Sequence, residues 1–248
     1  NKMLSRLDDA FTAQKQFSAS AAHELRTPLA VMQTNLEVFA PKKTPTIEEY
    51  QDIFGMIQNQ TERLSHLSEV LLDMTGIQSV ERSDSISLAE LTDEVCCDLA
   101  SIADQKKVEL IQEEGDCTVT GSYLLLYRAV YNLVENAIKY NHSGGKVTVK
   151  ISQKKDLPAA HSKPTDYALV EVTDTGIGIS PEYQEKIFAP FFRVDKSRSR
   201  AMGGAGLGLA LVNEIARQHG GQVKVLASSE QGSTIALMLP INSPLIEI

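Results

Sequence analysis

His23 stands in the string His23-Glu24-Leu25-Arg26-Thr27-Pro28-Leu29, inside a run whose apolar residues Leu25, Leu29, Met32, Leu36 and Phe39 step by 4, 3, 4 and 3. That is the seam of an amphipathic helix. With Leu25, Met32 and Phe39 at d positions and Leu29 and Leu36 at a positions, His23 falls at b and Thr27 at f, both on the outward face. An imidazole presented this way can be a nucleophile: one ring nitrogen attacks while a carboxylate accepts a hydrogen bond from the other and fixes the tautomer. Glu24 is the candidate carboxylate. Pro28 removes the N–H that would reach the Glu24 carbonyl and adds a clash costing about 3 kcal/mol in an ordinary helix interior. The sequence therefore predicts a bend just after His23, either a kink that a bundle tolerates or a loosened segment that moves as a switch. Position alone does not decide, because most exposed helical histidines are inert surface residues.

A second set of residues suits a phosphate-bearing ligand. Asn132 and Asn136 lie four apart on a helix that turns Leu133, Val134 and Ile138 inward, with Lys139 and Tyr140 one turn on. Amide oxygens are competent hard ligands for Mg²⁺, which usually keeps waters and phosphate oxygens as well; two surface asparagines are the plain alternative. Val172-Thr-Asp174-Thr-Gly176-Ile-Gly178 ends an alternating strand in a carboxylate followed by two glycines, where backbone can approach a ligand. An acceptor-only carboxylate suits the exocyclic amine of adenine, and a glycine turn closing a hairpin would read the same way. Gly203-Gly204-Ala205-Gly206-Leu207-Gly208-Leu209 runs into the apolar-periodic segment 209–219, and N–H groups at a helix start favour anions. Neither GxxxxGK followed by Ser or Thr, nor GxGxxG in a βαβ setting, is present, which disfavours P-loop and Rossmann sites.

These residues need two kinds of scaffold. From Leu4 to about Met74 there is one glycine, and a heptad pattern runs through Leu25–Phe39 and again through Ile53, Ile57, Leu64, Leu67, Leu71 and Met74. Pro41 and Pro45 break it, so the region is predicted to be an all-α helical hairpin. Its two apolar stripes exceed what one hairpin buries against itself, and pairing two chains into a dimeric four-helix bundle covers both. After the turn-rich stretch 76–84, Leu88, Leu91, Val95, Leu99 and Ile102 mark a helix. Strands are predicted near 108–111 and 118–120, a helix over 122–140, then strands over 146–153, 167–174, 222–226 and 233–239. That order describes an α+β sandwich with helices on one face of a mostly antiparallel sheet. The domains are read as 1–78 and 79–248.

With 248 residues, 42% hydrophobic and 23% charged, the composition is that of a soluble globular protein, and the net charge of −8 argues against nucleic-acid binding. Cys96, Cys97 and Cys117 have neither CxxC nor zinc spacing. No run reaches the roughly 18 apolar residues of a membrane-spanning helix.

The string from His23 to Leu29 resembles the H-box of sensor histidine kinases. The segment 132–140 resembles that family's N-box, 172–179 its G1 box, Phe188-Ala-Pro-Phe191-Phe192-Arg193 its F-box and 203–209 its G2 box, all in the family's order across nearly the whole chain. The resemblance implies a dimerisation and phosphoacceptor bundle followed by a Bergerat-type ATP-binding domain. It further implies autophosphorylation of His23 from ATP and Mg²⁺, transfer to an aspartate on a response-regulator receiver domain, and through Glu24 and Thr27 a reverse phosphatase reaction. By the same match Asn136 is the magnesium ligand, Asn132 lies by the phosphates, Lys139 pairs with them and Tyr140 helps wall the base. Asp174, Gly176 and Gly178 take the adenine end. Gly204, Gly206, Leu207 and Gly208 form the phosphate loop, and 189–205, with Arg193, Lys196, Arg198 and Arg200, a basic lid. The family often has a polar residue before the histidine; here Ala22 stands there.

Where the ATPase relatives carry a water-activating glutamate this chain has Asn132, and an amide cannot accept a proton at neutral pH. That disfavours an ATP-hydrolysing clamp of the gyrase or chaperone type. The intact His23, Asn136, Asp174 and glycine loops disfavour a nucleotide-binding scaffold without catalysis. The first residues, Leu4, Leu7 and Phe11, are already in helical register, and by family habit the parent continues upstream into a sensor and a membrane anchor, leaving this portion cytoplasmic. Whether transfer occurs within or between chains depends on the turn near 41–46.

Overall fold

A computed structural model of the chain describes residues 2–155, 166–194 and 205–241. The described residues divide into two compact units, residues 2–73 with Ala205, and residues 74–155, 166–194 and 206–241.

The first unit is built on helix α1 (Lys2–Phe39) and helix α2 (Ile47–Gly76), which runs on into the second. Pro41 and Pro45 separate them, and Thr46 opens α2 as a reciprocal cap: its Oγ1 accepts the Glu49 N–H at 3.2 Å while Glu49 Oε2 accepts the Thr46 N–H at 3.0 Å. That exchange satisfies two of the donors every helix start leaves unpaired. Phe39 and Tyr50 meet edge to face across the turn, centroids 5.1 Å apart. Helix α1 stays continuous through Pro28.

The second unit contains β1 (Asp84–Ser87), α3 (Leu88–Lys106), β2 (Glu109–Gln112), β3 (Thr118–Gly121), α4 (Tyr123–Lys139), β4 (Lys146–Lys155), β5 (Asp166–Asp174), α5 (Gly208–Gln218), β6 (Gln222–Ser229) and β7 (Gly232–Pro240). Its main sheet has the order β2-β4-β5-β7-β6, with β2 parallel to β4 and every other pair antiparallel. In β4, Val147, Val149 and Ile151 are buried and alternate with more exposed residues, the period-two pattern of a half-covered strand. The buried stripes of α3 (Leu91, Val95, Leu99), α4 (Leu126, Val130, Val134, Ile138) and α5 (Leu211, Val212, Ile215) supply the helical layer. This is the predicted α+β sandwich.

One element departs from the sequence reading. The stretch ending at Asp84, predicted as turn, leads into the four-residue strand β1, which pairs antiparallel with β3. Its sequence Asp84-Ser85-Ile86-Ser87 holds a single apolar residue, too little for an alternation to be seen. Among the described residues no helix is long and apolar enough to cross a membrane.

Candidate active site

On α1 the His23 side chain is exposed and Pro28 is buried. Thr27 Oγ1 donates to the His23 carbonyl at 3.0 Å, the back-bond a helical threonine makes one turn down. Glu24 points toward α2, where Arg63 Nη2 lies 3.3 Å from its Oε2. An open groove of about 450 Å³ runs along His23, Thr27, Ala30, Val31 and Thr34.

The second unit gathers the other residues. Asn132 and Asn136 each donate Nδ2 to the carbonyl four residues back, Arg128 and Asn132, both at 2.8 Å. Spending the amide hydrogens on the helix fixes which atom of each side chain is left as acceptor. Gly208, the first residue of α5, lies against this face: a Cβ there would stand 2.6 Å from Asn132 Oδ1 and 3.6 Å from Asn136 Nδ2. Leu207 sits at the N-cap of α5 and makes no side-chain cap bond, so the helix start beside the two amides is of the kind that favours an anion. Leu207 is itself buried and anchors the loop.

At the C-terminal end of α4 the chain from β5 closes in. Gly176 donates its N–H to Asp174 Oδ1 at 2.7 Å, and a Cβ on Gly176 would come within 2.5 Å of the Tyr140 carbonyl. Burial pushes the Asp174 carboxyl up, against the pull of the Gly176 and Ser233 N–H groups. Burial also raises the half-buried Tyr140 hydroxyl, and the charge of Arg193 offsets part of that rise. Gly178 has φ +67°, and a Cβ on it would overlap the Ser229 carbonyl at 1.8 Å. Phe191, itself left-handed at φ 62°, donates to the Gly206 carbonyl at 2.7 Å, joining the 188–193 segment to the second glycine loop.

The structure therefore brings Asn132, Asn136, Leu207 and Gly208 together, and separately Asp174, Gly176 and Tyr140 with Arg193 in electrostatic reach. Lys139 is half-buried at the end of α4, where Lys106 Nζ caps its carbonyl. His23, Glu24 and Thr27 belong to the first unit. Gly204, Lys196, Arg198 and Arg200 lie outside the described residues. Sequence reasoning missed Arg63, Lys106 and Ser233, whose partners are set by how elements meet. Among the described residues no three His, Cys, Asp or Glu side chains converge as a metal site. A magnesium ion that takes most of its ligands from water and phosphate needs only one or two protein oxygens, and the pinned amide of Asn136 fits that demand.

Residues 13–79 match the His Kinase A (phospho-acceptor) domain, and residues 121–243 match the histidine kinase-, DNA gyrase B- and HSP90-like ATPase domain. The chain belongs to the sensor histidine kinases. This kinase core is 33% identical over 239 residues to the sensor histidine kinase RppB of Synechocystis sp., covering 94% of the chain and 50% of that protein. Its fold resembles the Acinetobacter baumannii histidine kinase AdeS at TM-score 0.65, with 22% identity over 89% of this chain and 98% of that one. It also resembles the histidine kinase ThkA, solved in complex with the response regulator protein TrrA, at TM-score 0.70 and 22% identity over 95% of this chain and 64% of that one. The chain spans about half the length of the curated relatives it matches.

Proposed function

We propose that this chain is the catalytic core of a sensor kinase that moves the γ-phosphoryl group of ATP onto His23 and passes it to an aspartate of a response-regulator receiver domain. The observation that carries the reading is the pairing, in one chain, of an exposed histidine in an H-box helix with two glycine-bounded groups in the second unit, the Asn132 and Asn136 amides against Gly208 and the buried Asp174 beside Gly176. Asp174 accepts from the adenine amine, Tyr140 walls the base, and Asn132, Lys139 and the N–H groups after Leu207 hold the phosphates. Asn136 would hold a Mg²⁺ ion, which would neutralise phosphate charge. Asn132 is an amide and cannot deprotonate water, so hydrolysis lacks a base and the phosphoryl group awaits another nucleophile.

His23 is that nucleophile. One ring nitrogen forms the N–P bond as the bond from γ-phosphorus to the bridging oxygen breaks, and ADP leaves with the electron pair. Glu24 accepts the hydrogen bond from the other ring nitrogen and stabilises the charge that develops. Arg193 offsets charge on the moving group. Transfer requires the γ-phosphorus and the His23 ring nitrogen to meet in line.

The core works as a homodimer: Leu29 and Leu36 of the seam are 52% and 46% exposed in the single chain, and Phe54 and Leu72 of α2 are 68% and 67% exposed. A bundle of two hairpins would cover such a stripe. The receiver partner is supported by the complex in which ThkA was solved. We further assign Thr27 and Glu24 to dephosphorylation of that partner, and place this portion in the cytoplasm of a membrane-anchored parent.

The test is incubation with γ-labelled ATP and Mg²⁺, comparing the chain with His23→Gln. A base-stable, acid-labile label that vanishes in the variant is the expected result. Release of free phosphate at an unchanged rate in the variant would overturn the reading.

A further inference from the structure

Glu24 and Arg63 form an ion pair between α1 and α2 in which the side chains are 18% and 12% exposed. Three pairs elsewhere among the described residues differ in setting: Lys42–Glu49, Lys150–Glu113 and Arg217–Glu214 each keep at least one partner well exposed at the surface. Withdrawing two charges from water costs desolvation that their attraction does not reliably recover, so such a pair is weak as a device for stability alone. Its position suggests another use. Glu24 is next in sequence to His23, and neighbouring side chains on a helix do not face each other. A glutamate that is to meet the histidine ring must therefore be steered sideways around the helix, and a free glutamate would spread over many rotamers.

We propose that Arg63 is a positioning residue for phosphoryl transfer: from the opposite helix it holds Glu24 by Oε2 and so fixes where the carboxylate stands relative to the His23 ring. The planar guanidinium, always charged and offering several donors in one plane, suits that task better than a mobile ammonium. Arg63 touches neither nucleotide nor the reacting nitrogen in this role. It acts through Glu24, and the inference rests on the proposed part played by Glu24.

The test measures autophosphorylation as a function of ATP concentration in the full chain carrying Arg63→Ala, Arg63→Lys, Glu24→Gln and the double change Glu24→Gln with Arg63→Ala. The expected result for Arg63→Ala is a fall of about tenfold in the rate at saturating ATP with the half-saturating ATP concentration within about twofold, because the nucleotide is held by other residues. Arg63→Lys restores part of the rate, and the double variant is no slower than Glu24→Gln alone. A double variant whose loss is the product of the two single losses would overturn the proposal, since Arg63 would then act independently of Glu24. So would a lysine variant as slow as the alanine one. If Arg63→Ala loses helical content, the cycle is run with Arg63→Lys against Glu24→Gln, where additivity again counts against coupling. A Glu24→Gln variant of unchanged rate would instead remove the role given to Glu24 itself, and the two failures are thus distinguished.

Discussion

Gly208 and Asn132 meet at a distance that only a glycine permits: a Cβ on Gly208 would stand 2.6 Å from Asn132 Oδ1. Alanine at the first residue of α5 favours the helix itself, so Gly208→Ala leaves the fold intact while forcing the Asn132 amide out of place. Affinity for ATP falls about tenfold, about 1.4 kcal/mol, with a melting temperature near that of the parent. Calorimetric titration with a non-hydrolysable ATP analogue reads the first and thermal denaturation the second.

Gly178 gives the opposite balance. At φ +67°, with the Ser229 carbonyl 1.8 Å from where a Cβ would go, the obstacle is backbone that cannot rotate away. Gly178→Ala destabilises by about 2–4 kcal/mol in urea denaturation. Gly55, mid-helix in α2 with nothing within 4 Å of where a Cβ would stand, is the control; Gly55→Ala stabilises by about 1 kcal/mol.

Asp174 is held raised by burial, with the Gly176 and Ser233 N–H groups opposing. A folded-state value above the unfolded one means that its contribution to stability is greatest at low pH and is lost as pH rises through the folded value. At pH 7 without nucleotide the buried charge is therefore a burden. Asp174→Asn raises the melting temperature there and weakens ATP binding, and a variant that loses both stability and binding would contradict this account.

His219 works with the reverse sign. Its Nδ1 donates to the Ile215 carbonyl at 2.8 Å and its Nε2 accepts the Ser122 N–H at 3.0 Å, joining the end of α5 to the start of α4. Burial first, and then nearby Arg82, hold the imidazole below its ordinary value, with the Ile215 carbonyl pulling back. The contribution is full above the unfolded value of about 6.5 and is lost as pH falls below it. Unfolding free energy drops on going from about pH 7 to 5, and the drop is shallower in His219→Gln.

Thr27 spends its hydroxyl proton on the His23 carbonyl, and the phosphatase role proposed for it requires that hydroxyl to turn outward. Thr27→Ala slows dephosphorylation of a phosphorylated receiver partner while autophosphorylation stays within about twofold. Equal loss of both would mean that Thr27 merely shapes the helix around His23.

The elements were legible where one period ran long enough. The stripe of α4 and the glycines entering α5 announce a helix beside a helix start, and the structure sets Gly208 against Asn132. What the sequence does not carry is the meeting of distant elements. Arg63 reads as one more charge beside the seam of α2, and its partner lies 39 residues away. His219 reads as a helix-end residue, which it is, but that it is buried and bonded through both ring nitrogens depends on where α4 begins, 97 residues back. Strand β1 escaped because four residues with one apolar side chain cannot show an alternation. The reciprocal cap of Thr46 and Glu49 was there to be read, a threonine followed three residues later by a glutamate at the start of a heptad run.

The five-stranded sheet ends in β2 on one side and β6 on the other. An unpaired strand edge is a template on which another chain can add, and long flat edges invite fibrous aggregation. Here one edge is four residues long and the other is broken by a register shift between Val225 and Ala227, with exposed Lys224 just before it. Neither offers an incoming strand a straight ladder. The self-association proposed for the core is thereby steered away from its sheet and toward its helices, where the apolar stripe lies.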